Sequence, residues 1–139
     1  MRVLRSAILP VVLSTAWVAL SEFLRNQVLF ASYWVEHYRG LGLVFPAAPI
    51  NGAMWGAWSL LFAIVVFVIT RRFSRLEAVV IAWTCGFAMM WVTIGNLGVL
   101  PFRLLIPAVP LSVLEAFLAV MIVTWLSPRR SLGAGAKPQ

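Results

Sequence analysis

An all-α integral membrane fold, a four-transmembrane-helix bundle with both termini in the cytoplasm, is predicted by three features of this sequence. The first is composition: of 139 residues, 63% are hydrophobic and only 11% charged, with a mean hydropathy of +0.98. A globule of this length cannot bury so much apolar surface and stay dispersed in water, whereas a bilayer removes the difficulty. The second is the length of the apolar runs, about 6–30, 50–70, 78–100 and 108–126. Each is close to the roughly 20 residues a helix needs to cross a hydrocarbon core of about 30 Å. A closed barrel is excluded, because its strands have about 10 residues of alternating polarity.

The third feature is where the charges fall. Net charge is +7, from eleven Lys and Arg against four acidic residues. Arg2 and Arg5 precede the first run, Arg71, Arg72 and Arg75 join the second to the third, and Arg129, Arg130 and Lys137 follow the fourth. The opposite side holds Arg39 and Arg103, so the positive-inside rule puts the amino terminus, the central loop and the tail in the cytoplasm. Charges gathered between spans are topology signals and contacts for anionic headgroups, chiefly at Arg71, Arg72, Arg75, Arg129 and Arg130, and no nucleic-acid partner is expected. A plasma membrane, in particular a bacterial inner membrane, fits the compact size and the charge pattern.

Taken in order, the first run follows Arg2 and Arg5 as a secretory signal would, but it is longer than the roughly 7–15 residues of a signal's apolar core. It is therefore expected to persist as a span. Between the first two spans, Tyr33, Trp34, Tyr38 and Phe45 interleave with Glu36, His37 and Arg39, the pattern of a segment at headgroup level. Pro46 and Pro49 stop any helix there, and Asn51 is placed to cap the second span. Pro101, Pro107 and Pro110 predict a tight turn before the fourth. The spans form one domain, 1–130, and the Gly- and Ala-rich stretch 131–139 is expected to be a disordered tail.

Ionisable residues within spans cost about 2.5–3.5 kcal/mol each at the bilayer centre, so each needs a partner or a purpose. Glu22 and Arg25 stand in the outer half of the first span, spaced for an i,i+3 ion pair, on one helix face with Thr15, Val18, Ala19 and Asn26. Glu115 lies about two turns inside the outer end of the fourth, on a face with Ala108, Ser112, Ala119 and Ile122. The third span carries a stripe of Cys85, Met89, Thr93 and Asn96, and the second opens with Asn51, Gly52, Trp55 and Gly56. Glu22, Arg25, Asn26, Asn51, Trp55, Asn96 and Glu115 thus form the candidate binding set. Arg25 can neutralise one of the two Glu, leaving the other for a proton or a cation.

Two uses fit such a cluster: a site for ligand, ion or proton in a transporter-like protein, or polar glue in an accessory subunit of a larger membrane complex. Gly52 and Gly56, a small-xxx-small pair, serve either a homo-oligomer face or an internal contact. A third reading, a lipid-active enzyme using Glu36 and His37, ranks last because no nucleophile with a matched base is apparent. One His and one Cys predict no metal site, and no cofactor motif is present. Short length, four spans and a Glu in the first resemble the small multidrug resistance transporters in outline. Their signature stretches do not align, and Arg25 three residues after Glu22 would compete for the proton site such an antiporter needs, so the likeness is one of architecture alone.

Overall fold

The computed structural model describes residues 2–127, and among them the chain is 84% helical with no strand. Helix α1, Arg2–Phe23, runs on into a π-helical turn, Leu24–Leu29. A short α2, Ala31–Gly40, lies between it and α3, Pro49–Ile69. The third crossing joins α4, Arg75–Trp83, through a second π-helical turn, Thr84–Ala88, to α5, Met89–Asn96. A 3-10 turn, Phe102–Leu104, leads into α6, Leu105–Leu126. Four stretches, Ser6–Leu29, Pro49–Ile69, Arg75–Asn96 and Phe102–Leu126, are long and apolar enough to span a bilayer. The chain is an all-α membrane bundle of four such helices.

The helix ends follow local chemistry. Pro49 starts α3 at the position where a missing N–H costs nothing, after an extended Ala48. Asn51 is therefore inside the first turn and makes no capping bond, contrary to the sequence expectation. Ser74 and Glu77 close a reciprocal capping box at α4. Both α2 and α5 end in Schellman motifs on glycines of positive φ, Gly42 at 72° and Gly98 at 73°. In the first, Leu43 N–H donates to the Tyr38 carbonyl at 2.9 Å, and in the second Val99 N–H donates to that of Ile94 at 3.2 Å.

One core joins α1, α3, α4 and α6 through Val18, Phe62, Val66, Ala78, Ala82, Ala119 and Val123. Alanines on α4 and α6 let these helices approach closely, the usual device where lipid supplies no hydrophobic drive between helices. Apolar side chains such as Val12, Leu20, Leu61, Val68, Val80, Val92 and Leu114 point outward, as lipid-facing residues do.

Two further sequence expectations change. The stripe Cys85, Met89, Thr93 and Asn96 is exposed and does not face the bundle. Its inward counterpart is Ala78, Ala82, Gly86 and Phe87, because the Thr84–Ala88 π turn shifts the helical register and Thr93 Oγ1 satisfies itself on the Met89 carbonyl at 3.0 Å. The fourth crossing also begins earlier than predicted. Pro107 falls in the first turn of α6, where a proline is tolerated, and Pro110 is accommodated within the helix, so Glu115 is near the middle of α6. The expected tail, 131–139, and the charges at Arg129, Arg130 and Lys137 lie outside the described residues.

At the end carrying the α3–α4 loop, Pro10 has no N–H to donate to the Ser6 carbonyl one turn before it. Ser127 Oγ donates to that carbonyl at 2.7 Å and itself accepts from the Arg71 guanidinium, which also lies over the Phe67 ring at 4.4 Å. One hydroxyl at the end of α6 thereby ties α1 to the α3–α4 loop. Ser127→Ala is expected to lower stability by about 0.5–1.5 kcal/mol, since two part-buried hydrogen bonds are lost. Unfolding in mixed micelles checks this, with Thr124→Ala, whose hydroxyl bonds only within its own helix, as control.

Candidate functional site

The polar residues gather at the other end of the bundle, beneath the loops around α2 and the α5–α6 turn. Glu22 and Arg25 are one turn apart on α1 and its π-helical continuation, where Phe30 N–H reaches back five residues to the Arg25 carbonyl at 2.9 Å. One Arg25 nitrogen, Nη2, binds Glu22 Oε1, and the other, Nη1, stands 3.1 Å from Glu115 Oε2 on α6. The Nη1 contact lacks hydrogen-bond alignment, so it is chiefly Coulombic. Beneath the guanidinium the Phe87 ring lies 5.1 Å away. Glu22, Arg25 and Glu115 are 4, 5 and 0% exposed. Two buried carboxyl groups thus share one buried guanidinium.

Neighbours complete the geometry. Ser21 Oγ donates to Glu115 Oε2 at 2.8 Å, and Trp17 Nε1 donates to the Glu115 backbone carbonyl at 3.1 Å, holding α6 against α1. Glu115 Oε1 is buried without a hydrogen-bond partner among the described residues. Asn26 Nδ2 donates to Glu22 Oε2 at 2.7 Å, and its Oδ1 accepts from Trp34 Nε1 on α2 at 3.0 Å. Trp34, Tyr38 and Phe45 pack on one another, with Trp34 stacked on Phe45 at 6.2 Å. His37 Nε2 donates to the Gly98 carbonyl at 3.1 Å, fastening the α2 segment to the end of α5.

Two cavities border this cluster. A groove of about 330 Å³ runs between α1 and α3, lined by Glu22, Asn26, Asn51, Gly52, Trp55 and Gly56 together with the Pro46–Pro49 segment. A Cβ added at Gly52 or Gly56 would meet nothing within 4 Å. The pair therefore makes no close internal contact and widens the groove. A second cavity, about 150 Å³, occupies the bundle centre under α2, walled by Glu22, Arg25 and several aromatic side chains.

Of the residues singled out from sequence, Glu22, Arg25, Asn26 and Glu115 come together, and Asn51 and Trp55 face Glu22 across the groove. Asn96 is exposed at the end of α5 and lines neither cavity. Glu36 is exposed and makes no ion pair with His37 among the described residues. Ser21, Trp17 and Trp34 were not anticipated. Ser21 had a signal, because Ser14, Val18, Ser21 and Arg25 recur at helical spacing, while the tryptophan bonds cross 98 and 8 residues and leave no local trace. No group of three His, Cys, Asp or Glu able to hold a metal ion occurs among the described residues. No protein-family model, curated protein or solved structure matches the chain.

Proposed function

We propose that this is a small transporter-like protein of the plasma membrane, most consistent with a bacterial inner membrane, that binds a small ligand, ion or proton at the Glu22–Arg25–Glu115 cluster. The observation that carries this reading is the charge count at a buried site with access. One guanidinium serves two carboxylates, one negative charge is left over, and Glu22 borders two cavities. A proton or a cation balances that charge, and Glu115 Oε1, which has no donor among the described residues, is an atom on which it can reside. The distribution of Arg and Lys supports a cytoplasmic amino terminus, central loop and tail, so the cavities open toward the outer face. Arg72 and Arg75, exposed beside the Ser127-bound Arg71, suit anionic headgroups.

The second reading is an accessory subunit of a larger complex. It is favoured by Arg25 spending both arms in bridging α1 to α6, as structural glue does. Glu115→Gln separates the two. It leaves a neutral Glu22–Arg25 pair, so helicity and the unfolding midpoint in detergent are expected to be kept or improved. Proton movement across proteoliposomes, followed with an entrapped pH dye, is expected in the parent and abolished in the variant. Flux and fold lost together, or no flux in the folded parent, would favour glue.

A further inference from the structure

The two cavities differ in wall chemistry, and the difference names a ligand class. Trp34, Tyr38, Phe45, Trp55 and Trp91 line the central cavity, with Glu22 and its ion-pair partner Arg25 among them. The aromatic wall is braced: Trp34 is held through Nε1 on Asn26, Phe45 meets Tyr38 edge-on at 5.4 Å, and Trp91 packs against Trp83 at 6.2 Å. Aromatic walls around a carboxylate attract cations that shed their water easily, alkylammonium groups above all.

The competing ligands fit less well. An anion would look to Arg25, but its Nη2 is bound to Glu22, its Nη1 faces Glu115 Oε2 at 3.1 Å, and two carboxyl groups stand against the one guanidinium. A hard metal ion needs about six oxygen ligands, and rings supply none. Each Glu22 oxygen accepts one bond, from Arg25 or Asn26, and keeps a second lone pair for a charged guest.

Size adds a further constraint. The central cavity, about 150 Å³, is smaller than the roughly 300 Å³ at which drug-sized pockets begin, so it holds a headgroup. The adjoining groove, about 330 Å³, shares Glu22, Asn26 and Trp55 with it and has the exposed Phe23, Pro49 and Gly52 on its rim. We infer that the protein binds an alkylammonium cation, its charged head in the aromatic cavity against Glu22 and its alkyl substituent in the α1–α3 groove. This rests on the ligand-binding reading above and specifies its substrate class. The same chemistry belongs to a free quaternary amine and to a choline-type lipid headgroup.

The test uses butyltrimethylammonium as probe on the purified full chain in detergent, read by tryptophan fluorescence and calorimetry. Saturable binding is expected, with tetramethylammonium weaker and the uncharged isostere 3,3-dimethylbutanol at least about tenfold weaker. Glu22→Gln, which leaves a neutral Arg25–Glu115 pair and so should fold, is expected to weaken binding by about tenfold or more. Trp55→Leu, at a position already 43% exposed, is the second variant and is expected to weaken it several-fold without loss of fold. Absence of saturable binding by the folded parent, equal binding of the alcohol, or unchanged affinity in both variants overturns the inference. If that happens while Glu115-dependent proton flux persists, the ligand class is wrong and the broader reading stands. In nanodiscs, displacement of the probe by phosphatidylcholine but not phosphatidylglycerol assigns the cation to a lipid headgroup. No displacement assigns it to a free solute, and either result supports an alkylammonium site.

Discussion

Arg25→Met is expected to destabilise the protein by about 3–5 kcal/mol, the largest loss of any single substitution considered. The change keeps most of the side-chain volume and removes the one cation between two buried carboxylates. The Coulombic attraction disappears while the cost of holding Glu22 and Glu115 out of water remains, and their mutual repulsion is added. Glu22→Gln and Glu115→Gln combined with Arg25→Met should recover most of the loss, because removing a whole buried ionic group is often neutral or stabilising. Denaturant unfolding in mixed micelles measures both steps. A deficit under about 1 kcal/mol in the single variant would mean that the guanidinium is not what holds these carboxylates in place.

Gly86→Ala is the second large expectation, at about 1–3 kcal/mol. A methyl group at Gly86 would run into the Phe62 ring. That ring cannot withdraw, since it is stacked on Trp58 at 5.2 Å and set edge-on to Phe87 at 5.5 Å, and it is only 5% exposed. Phe62→Leu introduced together with Gly86→Ala should restore part of the stability, giving a coupling energy in a double-mutant cycle. Simple additivity of the two would show that the helices separate to admit the methyl.

Gly86 also shows how sequence and structure divide the information. The glycines that drew notice in the sequence were Gly52 and Gly56, by their spacing. Gly52 and Gly56 border open space and Gly98 supplies a positive φ for a helix stop, whereas Gly86, unmarked by any motif, is the glycine where an added Cβ would run into a side chain of a neighbouring helix. Spacing reports which residues share a helix face. It does not report which face meets a neighbour, and a π-helical turn inside the third crossing moved that face off the stripe of Cys85, Met89, Thr93 and Asn96.

The first and last crossings were read more fully. Thr15, Val18, Ala19, Glu22, Arg25 and Asn26 are buried or half-buried on α1, as are Ala108, Ser112, Glu115, Ala119 and Ile122 on α6. Both helices keep their small and polar residues inward because lipid penalises polar side chains directed at it. The depth of Glu115 was misread for a local reason: Pro107 and Pro110 suggested a turn, yet Pro107 falls in the first turn of α6, where its missing N–H costs nothing, and Pro110 is accommodated inside the helix.

Composition and run length were enough to establish four membrane helices, and charge against a nonpolar background was enough to single out Glu22, Arg25 and Glu115. These are properties of individual segments in lipid, where hydropathy acts on each helix before it meets another. The bridging of α1 to α6 by Arg25, the shelter of Asn26 under Trp34 and the aromatic cavity beside them arose only when the helices packed. They depend on rotation and height of each helix about its axis, which are set by close contacts such as Phe62 on Gly86 and by π turns that no residue pattern announces.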